Sequence, residues 1–420
     1  MFKLLILLAV SVVGMVADCG EYGPSQWNLA ARKRFAEHRF GIFIHWGLYS
    51  YYAQGEWYLR LGNVEKYNAP LNEKAYSRMM HGFYPSKFNA KAWVRAFRNA
   101  GARYVTITSR HHDGFSMWPT KVDDGYNISK TPFGRDVLKE LATACEEEGL
   151  QLNLYYSLMD WHRKDYPVGE CAEKVLGKQK GDYVSYKSFM MKQITELIDN
   201  YHPGCIWFDG EWEHMRKLPD GRRLTHEQDP ALMDWEFDDI YDLIHSKKTL
   251  VANNNHAAVI REKEDIQLFE RDLPGHGTSF SAGQGIAAGR PLEQCDVLQE
   301  SVWGYKISET SYRSPEAVVK MIVKAAAKGS NLLMNIGPDA SGQLPEKAVS
   351  VLADVGKWMR ANGHAIYGTQ GGGFSKDGNV AYTMSDKVVY EISLPSEGYG
   401  FPVVTERTGE GVDCVKGLTR

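Results

Sequence analysis

The segment Cys205-Ile-Trp-Phe-Asp-Gly210 puts an acid at the end of a short apolar run. In a β-strand, residues 205, 207 and 209 share one face, because side chains alternate. Asp209 then stands beside Trp207, and an ionised carboxylate against an aromatic wall is a competent nucleophile for an acetal carbon. Cleavage of a glycosidic bond needs a second carboxyl, roughly 5–5.5 Å from the first when configuration is retained. The sequence offers Glu270, Glu56, Glu211, Glu213 and Glu300. Glu270 is preferred: it closes an apolar run, Phe269 beside it is expected to raise its pKa by desolvation, and Pro274-Gly275 ends the segment. Gly210 is expected to leave room for a ligand next to Asp209; a turn role for Asp209 is the plainer alternative.

His45, His111 and His112 could be three metal ligands, or donors to sugar hydroxyls together with Tyr156. Adjacent His111 and His112 would project to opposite faces of a continuing strand, and the chain contains no HxH, HExxH or CxxC spacing. No metal and no cofactor are expected.

These residues close apolar runs, so the elements that carry them are strands. The patterning predicts strands over 40–46, 104–109, 150–157, 205–209, 249–252 and 331–336, with weaker ones near 266–269 and 297–303. Helical spacing falls between them, over 90–99, 136–149 and 183–201. Another helix starts at Ser314, where a capping Ser precedes Pro315 and a stripe of Val318, Val319, Ile322 and Val323. Strand–helix alternation with strands apolar on both faces argues for a parallel sheet. Eight strands, and no GxGxxG after the first, favour a closed α/β barrel of the (β/α)8 type, whose function sits at the C-terminal strand ends. From about residue 366 the texture changes to a Gly-rich joint at 368–373 and alternating strands at 380–383 and 388–392. This predicts a catalytic domain over 18–365 and a small antiparallel β appendage over 366–420, its tail after Pro395 poorly ordered.

The 420 residues carry 49 basic and 52 acidic side chains, a net charge of −3, which gives no footprint for nucleic acid. Eleven Trp and 23 Tyr suit a pocket that stacks flat, partly apolar ligands. Met1-Phe-Lys3, an apolar run over 4–16 and the small Ala17 have the layout of an export signal, and no later segment predicts a membrane span. In an oxidising compartment Cys145, Cys171, Cys205, Cys295 and Cys414 could pair, with no pairing legible from spacing.

Taken in order, Phe43-Ile-His-Trp-Gly47, Gly55-Glu-Trp-Tyr58, Arg110-His-His-Asp-Gly-Phe115, Tyr155-Tyr-Ser157, Trp207-Phe-Asp-Gly210, Trp303-Gly-Tyr305 and Asn331-Leu-Leu-Met-Asn-Ile-Gly-Pro338 resemble the α-L-fucosidases over residues 25–370. That family consists of retaining exo-glycosidases with a (β/α)8 barrel and a C-terminal β-sandwich. The resemblance implies Asp209 as nucleophile and Glu270 as acid/base. It implies fucose contacts at His45, Glu56, Trp57, His111, His112, Tyr156 and Trp207, with Trp303 near the C5 methyl. The expected partner is a fucosylated glycan, not nucleic acid. Two departures stand out: Asn253-Asn-Asn-His256 occupies the stretch where many members carry an Arg, and the C-terminal part is short for a sandwich. Another exo-glycosidase, α-galactosidase-like, and a catalytically silent sugar-binding barrel remain the rival readings.

Overall fold

The computed structural model describes residues 22–61, 71–123, 125–256, 259–277, 285–396, 398 and 400–408. The predicted export signal and Cys414 lie outside them. Eight strands form one parallel sheet: β1 Phe40–Ile44, β2 Tyr104–Arg110, β3 Gln151–Ser157, β4 Cys205–Asp209, β5 Leu250–Asn254, β6 Gln267–Glu270, β7 Leu292–Val297 and β8 Ser330–Ile336. They are hydrogen-bonded in the order β5-β4-β3-β2-β1-β8-β7-β6. The free edges of β5 and β6 meet at a bridge between Ala252 and Ile266, which closes the barrel.

Helices Ala90–Asn99, Val137–Glu148, Tyr183–Tyr201, Phe237–Ser246, Pro315–Ala327 and Glu346–Asn362 pack outside. Their ends follow local signals. Asp136 accepts from Lys139 N and Gly149 ends the same helix in the left-handed conformation, while Ser314 accepts from Ala317 N ahead of Pro315. Among the described residues no helix follows β5 or β6, so the (β/α)8 alternation is incomplete on that side.

Side-chain alternation divides the interior into two cores. Ile42, Ile44, Val105, Ile107, Leu152, Leu154, Ile206 and Phe208 pack against the helices, whereas Phe43, Tyr155, Trp207, Ala252, Leu268, Cys295 and Leu333 fill the barrel. The N-terminal helix Gln26–His38 adds Ala31 and Phe35 to the inner core.

Two strand expectations need correction. The seventh strand is Leu292–Val297, not 297–303, because Glu293, Gln294 and Asp296 interrupt its apolar pattern although the whole strand is buried. The Gly-rich stretch is a strand, Gln370–Phe374. It is the first of a four-stranded antiparallel sheet with Val380–Met384, Val389–Ser393 and Val403–Arg407. The last of these lies in the tail expected to be poorly ordered. Cys145, Cys171, Cys205 and Cys295 are all free thiols, so none of these four pairs with another. Among the described residues no helix is long and apolar enough to cross a membrane.

One carboxylate secures the closure. Asp265, fully buried, accepts from Val251 N at 2.7 Å, from Asn28 Nδ2 at 2.7 Å and from Arg32 Nη2 at 2.7 Å, and lies 2.9 Å from His245 Nε2. It thereby ties β5, the N-terminal helix and the helix before β5 to the seam. Removing one partner of a buried ion pair costs roughly 3–5 kcal/mol. Asp265→Asn should therefore lower the urea midpoint of unfolding by a loss of that order, whereas Lys91→Gln, in an exposed pair with Glu147, should leave it nearly unchanged.

Candidate active site

A cavity of about 440 Å³ opens at the C-terminal ends of the strands. Its walls include His45, Glu56, Trp57, His111, His112, Trp207, Asp209, Glu270 and Trp303, so the expected nucleophile, acid/base and sugar contacts line it, except Tyr156. Parallel register sets this out: Ser157 is paired with Asp209, Asp209 with Asn254, and Tyr155 with Trp207. Tyr155 therefore faces inward with Trp207, and its hydroxyl donates to Asp209 Oδ2 at 2.9 Å. Tyr156 faces outward and donates to Gln193 on the helix Tyr183–Tyr201, 2.9 Å away. The signal was available: Leu152 and Leu154 are the helix-facing positions, and Tyr156 continues their alternation.

The two carboxyls meet. Asn254 Nδ2 donates to Glu270 Oε2 at 2.9 Å and to Asp209 Oδ1 at 3.3 Å. Those oxygens lie no farther apart than the two hydrogen bonds laid end to end. This fits the roughly 5–5.5 Å of a retaining pair and falls short of the roughly 6.5–9.5 Å of an inverting one. Of the other candidates, Glu211 is turned away to Arg261 and Asn253, Glu213 accepts from Ala172 N and Tyr166, and Glu300 is exposed. Glu56 lines the pocket, but its Oε2 is held by the backbone N–H groups of Trp303 (3.2 Å) and Gly304 (2.7 Å).

Asp209 Oδ1 also accepts from Gly210 N at 2.8 Å and Trp212 Nε1 at 3.0 Å. Gly210 leaves room for protein rather than ligand: its φ is +94° and a Cβ there would lie 2.9 Å from Met159. Burial, then the charge of Glu270, pushes the Asp209 pKa up. Glu270 behaves opposite to expectation. Burial raises its pKa, but the hydrogen bond and charge of His256, followed by Asn254, outweigh it and hold the carboxyl below its ordinary value. Phe269, expected to desolvate it, is not among the pocket walls. His256 lies 2.9 Å from Glu270 Oε2 and stacks on Trp212 with a 1° interplanar angle. His256 and Arg271 both hold left-handed backbone, φ 49°, on either side of Glu270 in sequence.

Strand β2 stops at Arg110, so His111 and His112 do not diverge; their rings lie 4.2 Å apart and both face the pocket. Burial holds His45 and His112 down to about 3 and His111 well below its ordinary value, leaving uncharged imidazoles that can donate to or accept from hydroxyls. His45 Nδ1 contacts Asn335 Oδ1 at 2.7 Å, and His112 Nδ1 contacts Ser157 Oγ at 2.6 Å. Among the described residues no group of three or more His, Cys, Asp or Glu side chains is arranged to hold a metal.

The floor was not legible because it sits in the misplaced strand. Glu293, buried inside the barrel, accepts from Trp207 Nε1 at 2.9 Å and Tyr104 Oη at 2.6 Å. Gly41 makes this possible, since a Cβ there would lie 2.4 Å from the Tyr104 ring. Asn254, Trp212, Arg223 and Arg271 also belong to the lining and were unannounced by the pattern of strand-end residues.

Facing carboxyls in an aromatic-walled hollow at the C-terminal face of a closed parallel barrel define a glycoside hydrolase. The chain belongs to the alpha-L-fucosidase family, whose sequence profile matches residues 10–364. It is 28% identical to the tissue alpha-L-fucosidase of Bos taurus over 96% of this chain and 88% of that protein. The same identity relates it to the tissue alpha-L-fucosidase of Homo sapiens, over 93% and 82%. Among solved structures, alpha-L-fucosidase isoenzyme 1 from Paenibacillus thiaminolyticus superposes with a TM-score of 0.74 at 31% identity, covering 89% of this chain and 85% of that one. The Thermotoga maritima alpha-fucosidase in complex with fucose gives 0.67 at 27%, covering 90% and 87%.

Burial raises the Glu293 pKa to about 7 from a reference of 4.5, against the hydrogen bonds of Tyr104 and Trp207. The folded protein thus holds this proton more tightly than the unfolded chain. The associated stability is complete below about pH 4.5 and is lost as pH rises through about 7. Glu293→Gln should flatten the fall in melting temperature across that window, leaving the slope due to other carboxyls that burial raises, Glu264 and Asp113 among them.

Proposed function

We propose that this chain is an exported α-L-fucosidase that releases terminal fucose with retention of configuration. Asp209 is the nucleophile and Glu270 the acid/base. The observation that carries the reading is the single Asn254 amide bonded to both carboxyls in a hollow of sugar size. Oδ1 of Asp209 takes three donors, whereas Oδ2 accepts from Tyr155 alone among the hydrogen bonds described, so Oδ2 has a lone pair for the anomeric carbon. As that C–O bond forms, the glycosidic oxygen leaves with the Glu270 proton. Glu270, now ionised, then deprotonates a water that displaces Asp209 from the fucosyl ester. His45, His111, His112, Glu56 and Trp57 meet the hydroxyls. Phe43, Trp207 and Trp303, with Phe43 ring centroids 5.2 and 6.0 Å from the other two, offer an apolar wall to the C5 methyl. The Thermotoga maritima structure with bound fucose supports the choice of sugar. The short basic start and apolar run of residues 1–17 support export.

Asp209→Ala should abolish turnover, and azide should restore it, yielding a fucosyl azide of inverted anomeric configuration. Glu270→Ala should slow natural glycosides by about 10²–10⁴-fold while sparing nitrophenyl fucoside. Proton NMR of the wild-type reaction should show net retention; net inversion removes the double displacement.

Activity requires Asp209 ionised and Glu270 protonated, and His256 holds Glu270 low. Phenylalanine at 256 keeps a ring against Trp212 and loses the hydrogen bond. The Glu270 pKa then rises, more of it stays protonated at a given pH, and the alkaline limb of kcat/KM should move to higher pH in His256→Phe.

A further inference from the structure

Between β4 and the helix Phe237–Ser246 the chain forms a small hairpin, Arg216–Lys217 against Arg223–Leu224. The turn is closed by Leu218 N donating to Arg222 O at 2.8 Å, with Gly221 at φ +89°. Its strands carry Arg216, Lys217 and Arg223, and Arg222 lies at the turn. Arg216 is paired with Asp229 and Arg222 with Asp220. Among the described residues neither Lys217 nor Arg223 has a carboxylate at ion-pair distance.

Those two are direct cross-strand partners. Like charges placed opposite each other on one face of a hairpin are destabilising unless an anion lies near. Arg223 lines the active-site cavity, half-buried, and among the described residues its guanidinium makes one hydrogen bond, a long one to Trp212 O, 3.5 Å. A guanidinium has five donors, so most of its capacity is unspent. Burial pushes its pKa down, the direction of a cation that has left water without full compensation. Trp212, whose carbonyl Arg223 reaches, is also on the wall and stacked on Trp57 at 5.7 Å.

The cavity's own carboxyls do not account for both cations. Arg271, over the Trp303 ring at 5.2 Å, already bears on Glu56 and Glu270. Glu270 contributes to Arg223 less than burial does, and Lys217 is exposed on the hairpin. An anion brought in by the substrate answers both. We propose that Arg223, with Lys217 opposite it, forms a leaving-group subsite for an anionic sugar, so that this protein selects fucosides whose neighbouring residue bears a sulfate ester or a carboxylate. This rests on the α-L-fucosidase reading and adds a substrate class to it. The reacting sugar stays between Asp209 and Glu270, and the charge of the leaving sugar is met by the guanidinium fork.

The test compares three fucosyl disaccharides identical except for a hydroxyl, a sulfate ester or a carboxylate on the reducing sugar. One or both charged substrates should show kcat/KM about tenfold above the neutral one, the worth of one charge-assisted hydrogen bond. Which of the two is preferred identifies the anion. The charged-to-neutral ratio should fall about tenfold in Arg223→Gln and about threefold in Lys217→Gln, through KM, and should shrink with added salt. Equal rates on all three substrates, or a ratio unmoved in both variants, overturns the subsite while leaving the α-L-fucosidase reading intact. An Arg223→Gln effect equal on all three substrates assigns Arg223 to Glu270 and also overturns it. No turnover of any fucoside by the wild-type protein overturns both readings together.

Discussion

Two carboxyls share one desolvated hollow, and the rest of the site is arranged around their repulsion. At an effective dielectric of about 20, unit charges about 6 Å apart repel by about 3 kcal/mol, equivalent to roughly two pKa units. Asp209 and Glu270 therefore tolerate each other only because donors crowd both. Asn254 spans the pair, Tyr155, Trp212 and the Gly210 N–H hold Asp209, and His256 holds Glu270. The distribution is uneven. Asp209 is pushed up and Glu270 held down, so the imidazole on one side sets how the pair divides its charge. After β5 the chain sets His256 against Glu270, with Arg271 nearby on the cavity wall.

The walls keep this arrangement fixed. Trp207 stacks against Tyr155 at 5.5 Å, Tyr155 lies nearly parallel to His111, and Trp207 is anchored from below by Glu293. Glu293 shares the barrel interior with Tyr104, which fits because β1 carries Gly41. The inner core is thus a polar stem inside an apolar sleeve, and a side chain deep in the barrel orients one at its rim. The closure at Asp265 has the same character: one buried carboxylate, several donors from separate segments, and a seam that is otherwise a single bridge.

Much of this was legible in the chain. Strand β4 and the helices over 90–99 and 183–201 match their patterns, since strong apolar periodicity was enforced by burial on both sides. The strand-end acids, imidazoles and tryptophans follow from one rule, that a parallel barrel gathers its C-terminal strand ends at one rim. The errors share a cause too. Tyr156 was favoured over Tyr155 because adjacent tyrosines look alike until strand register says which faces inward. Strand β7 was misplaced because its buried polar residues, Glu293 and Asp296, read as loop.

By itself, then, the sequence determined the fold class and carried most of the candidate residues to the strand-end rim, because periodicity and strand-end chemistry are local properties that survive without coordinates. Only the tertiary structure decided that a single amide joins those acids, that Glu270 is held low by His256, and that Arg223 reaches the cavity from a hairpin. These depend on distances between segments far apart in the chain, and on burial that strengthens some charges and silences others. Local patterning carries no record of either.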